Sequence, residues 1–223
     1  MIHLKPKQVL VALDFDSYDQ AMTVCGNLDP NKFRLKVGKQ LYSAEGPKIL
    51  DRFHQQGFEV FLDLKLHDIP NTVYKALKNI FSLGVWMTNI HLLGGKEMIQ
   101  AAKEAQLDSD KKNLLIGVTV LTSLNDNHLK EIGIIKDTKS LVLSLSQVAK
   151  QASLDGVVCS AYEVRKLKKE FGLDFLTVTP GIRVQQGKGD QKRVASLETA
   201  VKENTDYIVL GREISQAENI GKM

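Results

Sequence analysis

Cysteine is nearly absent: two in 223 residues, Cys25 and Cys159, far apart and in neither a CxxC pair nor a ligand spacing with histidine. Reduced thiols in a cytoplasmic protein fit this better than a disulfide framework or a zinc site. Aromatic residues are sparse at 6% and do not interleave with basic ones, which argues against a stacking surface for single-stranded nucleic acid. The net charge of +4, with a pI near 8.9, is a mild excess suited to a small anionic ligand, and no nucleic-acid partner is expected. Lysines such as Lys166, Lys168 and Lys169 fall where a helix would turn them to water. No apolar run approaches membrane-spanning length, and Lys5-Pro6-Lys7 leads straight into strand-like sequence with no signal-like segment. A cytoplasmic location and no membrane partner are the expectations. Linkers rich in Pro, Gly or Ser are lacking too, so residues 1–223 should form a single domain, able to bury roughly 70% of its unfolded surface.

What is present is alternation. Short apolar, β-favouring runs occur at Val9 to Leu13, Phe33 to Val37, Glu59 to Leu64, Val85 to His91, Leu114 to Val120, Gly156 to Cys159, Phe175 to Thr179 and Tyr207 to Leu210. Between them lie amphipathic stretches: Tyr18 to Leu28, Ala44 to Gln56, Asn71 to Leu83, Lys96 to Ala105, Ser140 to Ala152, Ala161 to Phe171, Gln191 to Glu203 and a last piece from Glu213. Gly57, Gly84, Gly156 and Gly172 stand where helices must stop. Strand and helix repeated eight times in one compositional regime predict a parallel sheet closed into a (β/α)8 TIM barrel, with an open doubly wound sheet as the alternative. Ser123 to Lys136 is an addition to that repeat, a short helix and loop.

The main anomaly lies in FEVFLDLKLHDIPNTV, Phe58 to Val73. Asp63 and Lys65 sit two apart in an apolar strand, on one face by alternation, and Asp68 follows in the loop before Pro70 opens a helix. The expected result is a lysine held between two carboxylates. Burying charges is costly even after relaxation, so pairing or function must compensate. The other strand ends carry Asp14, Lys36, His91, Thr122 with Ser123, Pro180-Gly181-Ile182-Arg183 and Gly211-Arg212. Each alone has a structural explanation; converging on the carboxyl rim of a barrel they read as a site. Gly211, Arg212 and the amides of a helix starting near Glu213 form a candidate phosphate site. Val184 to Asp190, with Gly187 and Gly189, reads as a loop that folds over a ligand. His67 and His91 are assigned to packing and hydrogen bonding.

With these residues assembled, the chain resembles the bacterial orotidine 5′-phosphate decarboxylases over essentially its full length. The resemblance rests on ALDFD at Ala12 to Asp16, LKVG at Leu35 to Gly38, DLKLHDIPNTV at Asp63 to Val73, VTVLTS at Val118 to Ser123, TPGIR at Thr179 to Arg183 and LGR at Leu210 to Arg212. It implies that Asp14 and Lys36 contact ribose hydroxyls, and that Asp63 and Lys65 face the reacting carbon. Asp68 and Thr72 would reach the neighbouring subunit's site, making the enzyme an obligate homodimer. Thr122 and Ser123 would hold the pyrimidine edge beside Pro180, and Arg183, Gln191, Gly211 and Arg212 the phosphate. Gln185 and Gln186 are alternatives to Gln191, because the loop VQQGKGD looks about a residue shorter than the family's usual one.

The implied reaction is cofactor-independent and metal-free decarboxylation of orotidine 5′-monophosphate to UMP and CO2, the last step of UMP biosynthesis. Lys65 would stabilise the C6 carbanion and protonate it. A magnesium-dependent sugar-phosphate lyase of the same barrel superfamily is the nearest rival, but Lys36 stands where such enzymes carry a metal-binding Glu. Carboxylates beside Lys65 oppose the free amine of a Schiff-base aldolase. A barrel that only binds a nucleotide is disfavoured by the presence of Asp63, Lys65, Asp68 and Arg212 together.

Overall fold

Strands covered on both faces need apolar residues at every position, and VLVA, buried throughout as β1 (Val9–Ala12), shows the pattern. The structure is a computed structural model that describes residues 4–109, 112–183 and 193–211. The strands that follow are β2 (Phe33–Gly38), β3 (Val60–Leu66), β4 (Met87–His91), β5 (Leu114–Val118), β6 (Gly156–Val158), β7 (Leu176–Thr179), β8 (Ile182–Arg183), β9 (Ala195–Ser196) and β10 (Tyr207–Leu210). Eight of them close a parallel barrel in the order β1-β10-β7-β6-β5-β4-β3-β2, the (β/α)8 architecture read from the alternation. β8 and β9 form a separate two-stranded parallel sheet, Ile182 opposite Ala195 and Arg183 opposite Ser196.

Alternation along each strand sorts the core into two. Leu10, Ala12, Phe61, Met87, Ile116, Val178 and Val209 pack together inside the barrel, while Val9, Val11, Leu35, Val37, Val60 and Leu62 pack outward with the helices. Those helices are α1 (Tyr18–Cys25), α2 (Lys39–Glu45), α3 (Lys48–Gln55), α4 (Pro70–Ser82), α5 (Gly95–Leu107), α6 (Asp126–Glu131), α7 (Thr138–Gln151), α8 (Ala161–Phe171) and α9 (Leu197–Lys202). Pro70 opens α4 at its first turn, where a missing N–H costs nothing. α6 is the short helix expected between Ser123 and Lys136. Among the described residues no helix is long and apolar enough to cross a membrane.

Three local expectations are corrected. The helix read as Ala44 to Gln56 is two, α2 and α3, because Gly46-Pro47 intervenes with Gly46 at φ +68. Gly156 is no helix stop: it lies in β6, where a Cβ would stand 2.0 Å from the Leu176 carbonyl oxygen, so glycine lets β6 and β7 approach. Lys168 is buried rather than solvated; its ammonium lies 2.6 Å from Asp206 Oδ2 and donates to the carbonyls of Leu173 and Phe175.

Candidate active site

β1, β2 and β3 deliver four charged side chains to the carboxyl end of the barrel as one alternating chain. Lys36 Nζ lies 3.1 Å from Asp14 Oδ1 and 3.5 Å from Asp63 Oδ2, and Asp63 Oδ1 lies 2.7 Å from Lys65 Nζ. The inner pair is enclosed, with side-chain exposures of 8% for Lys36 and 11% for Asp63; the outer ends are open, 55% for Asp14 and 31% for Lys65. Burial pushes the Lys36 ammonium down, but the charges of Asp63 and Asp14 together outweigh it and the net shift is upward. Burial likewise pushes the Asp63 carboxyl up, and Lys36 and Lys65, with hydrogen bonds from Lys65 and Asn89, bring it below the usual carboxylate range. Gly38, at the end of β2, makes room for the chain: a Cβ there would stand 3.0 Å from Asp14 Oδ1 and 3.1 Å from Lys36 Nζ.

The expected lysine between two carboxylates is inverted. It is the carboxylate of Asp63 that sits between two lysines. Asp68 accepts the N–H of Ile69 at 2.6 Å and, among the described residues, is in no ion pair with Lys65. Nor does simple alternation bring Asp63 and Lys65 together. The pairing of β3 with β4 shifts register between Leu62 and Leu66, and Lys65 takes a left-handed backbone, φ +51. Asn89, fully buried on β4, spans the irregularity: its Nδ2 donates to Asp63 Oδ1 and its Oδ1 accepts from Lys65 N–H, each at 2.7 Å.

His91 ends β4 beside this cluster. Its Nδ1 accepts from Leu93 N–H at 3.3 Å, its ring stacks on His67 at 5.5 Å, and burial, then His67, Lys65 and Lys39, push its pKa down to about 4. His91 thus both packs and accepts a hydrogen bond, and His67, exposed, stacks on it.

Of the remaining candidates, those among the described residues stand outside the charge chain. Thr122 is buried and Ser123 exposed in the turn after β5. Pro180 follows β7, Arg183 lies half-buried in β8, and Gly211 follows β10. Among the described residues, a Cβ on Gly211 would meet only Ala12 Cβ, at 3.9 Å. Asp68 and Thr72 are exposed at the start of α4, next to Ile69 at 67% exposure and near Leu93 at 41%. Gln191, Arg212, the loop Val184 to Asp190 and the helix from Glu213 lie outside the described residues.

Two side chains escaped the sequence reading. Asn89 had a signal, an amide inside the apolar run VWMTNIH. Arg193 had none; it ion-pairs with Glu163, donates from Nη2 to Val120 O at 2.7 Å, and its N–H reaches Thr122 O at 3.2 Å, tying the turn after β5 to α8. A cleft of about 1030 Å3 opens beside these groups, lined by Asn125, Asp126, Lys139, Ser160, Glu163 and Arg193, and none of the four-charge chain lines it. Among the described residues no group of three or more His, Cys, Asp and Glu is arranged to hold a metal ion.

Comparison with known proteins adds to this geometry. Residues 7–222 match the model of the family described as Orotidine 5′-phosphate decarboxylase / HUMPS family. The orotidine 5′-phosphate decarboxylase of Saccharophagus degradans is 48% identical over 98% of this chain and 92% of its own. That of Shewanella sediminis is 49% identical, covering 95% and 91%. Among solved structures, the orotidine 5′-phosphate decarboxylase of Lactobacillus acidophilus superposes with a TM-score of 0.84 at 38% identity, over 95% of this chain and 93% of that one.

Proposed function

The chain belongs to the orotidine 5′-phosphate decarboxylase / HUMPS family, and from that membership we propose that it is a carboxy-lyase converting orotidine 5′-monophosphate to UMP and CO2 in pyrimidine biosynthesis. The observation that carries the mechanism is Lys65 Nζ held 2.7 Å from Asp63 at the open end of the alternating charge chain. Breaking the bond between C6 and the carboxylate leaves its electron pair on C6, in the plane of the ring. An ammonium about 3 Å from that carbanion is worth roughly 5 kcal/mol at an effective dielectric near 20, about four decades of rate. Lys65 then gives its proton to C6, forming UMP, and is reprotonated from solvent.

Asp63 aims Lys65, and with Lys36 and Asp14 it makes a preset polar frame that needs no reorganisation as charge develops. Asp14 and Lys36 bind the ribose hydroxyls, and Thr122 and Ser123 the pyrimidine edge beside Pro180. Arg183, Gln191, Gly211 and Arg212 bind the phosphate, whose binding energy is directed to closing the site over the ring. Glycine at 211 lets an anion approach the backbone.

The enzyme acts as a homodimer, with Asp68 and Thr72 reaching the second subunit's site. Their exposure, and the apolar Ile69 and Leu93 bordering a cleft of about 550 Å3, support a covered face here. The magnesium-dependent rival is disfavoured by a specific contact: the Lys36 ammonium already fills the space between Asp14 and Asp63 where a divalent ion would need those carboxylates.

The test is an ultraviolet assay with orotidine 5′-monophosphate in the presence of EDTA, following loss of the orotate chromophore and identifying UMP. Turnover there supports the reading, and its absence from the folded protein would sink it.

A further inference from the structure

We infer that Asn89 is a positioning residue of this site, a buried amide that sets Lys65 and Asp63 in register with each other. The inference rests on Lys65 being the acid of the proposed reaction, and its grounds are geometric. Leu62 pairs with Thr88 and Leu66 with Ile90, so Asp63, Leu64 and Lys65 of β3 stand against Asn89 alone on β4. A bulge of that kind interrupts the backbone ladder and leaves its N–H groups seeking partners. The Lys65 N–H finds one in Asn89 Oδ1 at 2.7 Å.

The conformation so held is not one a lysine prefers. A left-handed backbone is strained for a side-chain-bearing residue and persists only where surroundings over-determine it. At φ +51, Lys65 is turned out of the alternation and its ammonium is brought back onto Asp63. The other half of the Asn89 amide fixes that carboxylate, donating to the same Oδ1 that receives Lys65 Nζ. Asparagine suits both tasks: aspartate has no donor for Asp63, leucine has neither donor nor acceptor, and glutamine is a methylene too long. With Asn89 fully buried, either lost bond leaves an unpaired polar group in the barrel interior.

The experiment compares wild type, Asn89→Leu, Asn89→Asp and Lys65→Ala in the full chain, with kcat and KM for orotidine 5′-monophosphate, calorimetric UMP affinity and the folded fraction measured for each. Asn89→Leu is expected to lose about 100-fold or more in kcat, as misplacing a reacting group by an ångström does, with UMP affinity within a few-fold of wild type. Asn89→Asp keeps the acceptor for Lys65 but sets a carboxylate against Asp63. Asp63 is faced by Lys36 from β2, Lys65 from its own strand and Asn89 from β4, so this like charge raises its pKa. The variant is expected to show an intermediate kcat and an acid limb of the pH profile moved to higher pH. Near-normal kcat in Asn89→Leu, or losses of kcat and UMP affinity in both variants that track the folded fraction alone, would overturn the assignment. Should Asn89→Leu not fold, the acid-limb shift in the near-isosteric Asn89→Asp decides: its absence removes the inference. An inert wild type or an active Lys65→Ala removes the Lys65 reading itself, and Asn89's role with it.

Discussion

The two ends of the barrel solve the same electrostatic problem with different residues. At the amino end, the Glu59 carboxylate takes Lys7 and Arg34, each at 2.9 Å, and the Arg34 guanidinium lies 3.8 Å from the centroid of Trp86 and 5.6 Å from that of Tyr207. Trp86 and Tyr207 meet edge to face at 5.0 Å, closing the apolar interior from below. At the carboxyl end, two positions further along the same strand β2, the cation is Lys36, and its carboxylate Asp63 is shared with Lys65. A planar guanidinium that stacks on rings and holds its proton makes a seal. An ammonium on a flexible stem, one-third exposed, makes a group that can meet a ligand and transfer a proton. Position in the barrel decides which is useful, since only the carboxyl end has loops that open to substrate.

Mutations at matched positions sharpen that contrast. The largest effect belongs to Lys65→Ala, which should lower turnover by about four decades while leaving UMP binding measurable and the melting temperature nearly unchanged. Near-normal turnover would show that the carboxyl-end cluster is as structural as the amino-end one. Next are the two carboxylates. Asp63→Asn strands the buried Lys36 on a single exposed partner and should cost about 3–5 kcal/mol in urea unfolding, together with activity. Glu59→Gln removes the more exposed carboxylate beneath the barrel and should cost about 1 kcal/mol, with turnover intact. Equal costs for the two would erase the distinction between the ends.

The barrel was legible because eight apolar runs alternating with amphipathic ones leave few ways to bury both faces of every strand. The charge cluster was legible as an anomaly, since Asp63 and Lys65 break an apolar strand. Its geometry was not, because a bulge is a property of two strands: Lys65 meets Asn89 24 residues on, and Asp63 meets it 26 on. Local alternation put Asp63 and Lys65 on one face for a reason the structure does not use. The buried Lys168 failed in the same way, its partner Asp206 being 38 residues distant, so helical periodicity saw only another lysine. Gly156 is explained by a carbonyl on the neighbouring strand rather than by the helix before it. Long-range pairing is the common element, and a pattern read along one segment carries none of it.

A dependence on pH separates the two ends as well. Glu59 at the amino end and Asp63 at the carboxyl end both titrate below the usual carboxylate range. Their stabilisation is therefore present above the unfolded carboxylate pKa of about 4, and is lost only as pH falls through the lower folded values. His91, at the carboxyl end, acts earlier. With its folded pKa near 4 against 6.5 unfolded, the unfolded chain takes up a proton between those values that the folded chain refuses, so stability falls as pH drops from about 6.5 towards 4. Full burial would make that shift worth more than about 3 kcal/mol; water reaches part of the ring, and about 1–2 kcal/mol is the expected loss. Lys39, Lys65 and His67 add to the penalty by facing the ring with positive charge. The substitution His91→Asn replaces the imidazole with an amide that does not titrate and whose oxygen can take the Leu93 N–H. This variant should flatten the stability profile between about pH 6.5 and 4 and leave the steeper loss below about pH 4 in place. Urea unfolding at a series of pH values checks it: an unchanged slope in the variant would mean that the carboxylates at both ends, and not the histidine, govern the whole acid transition.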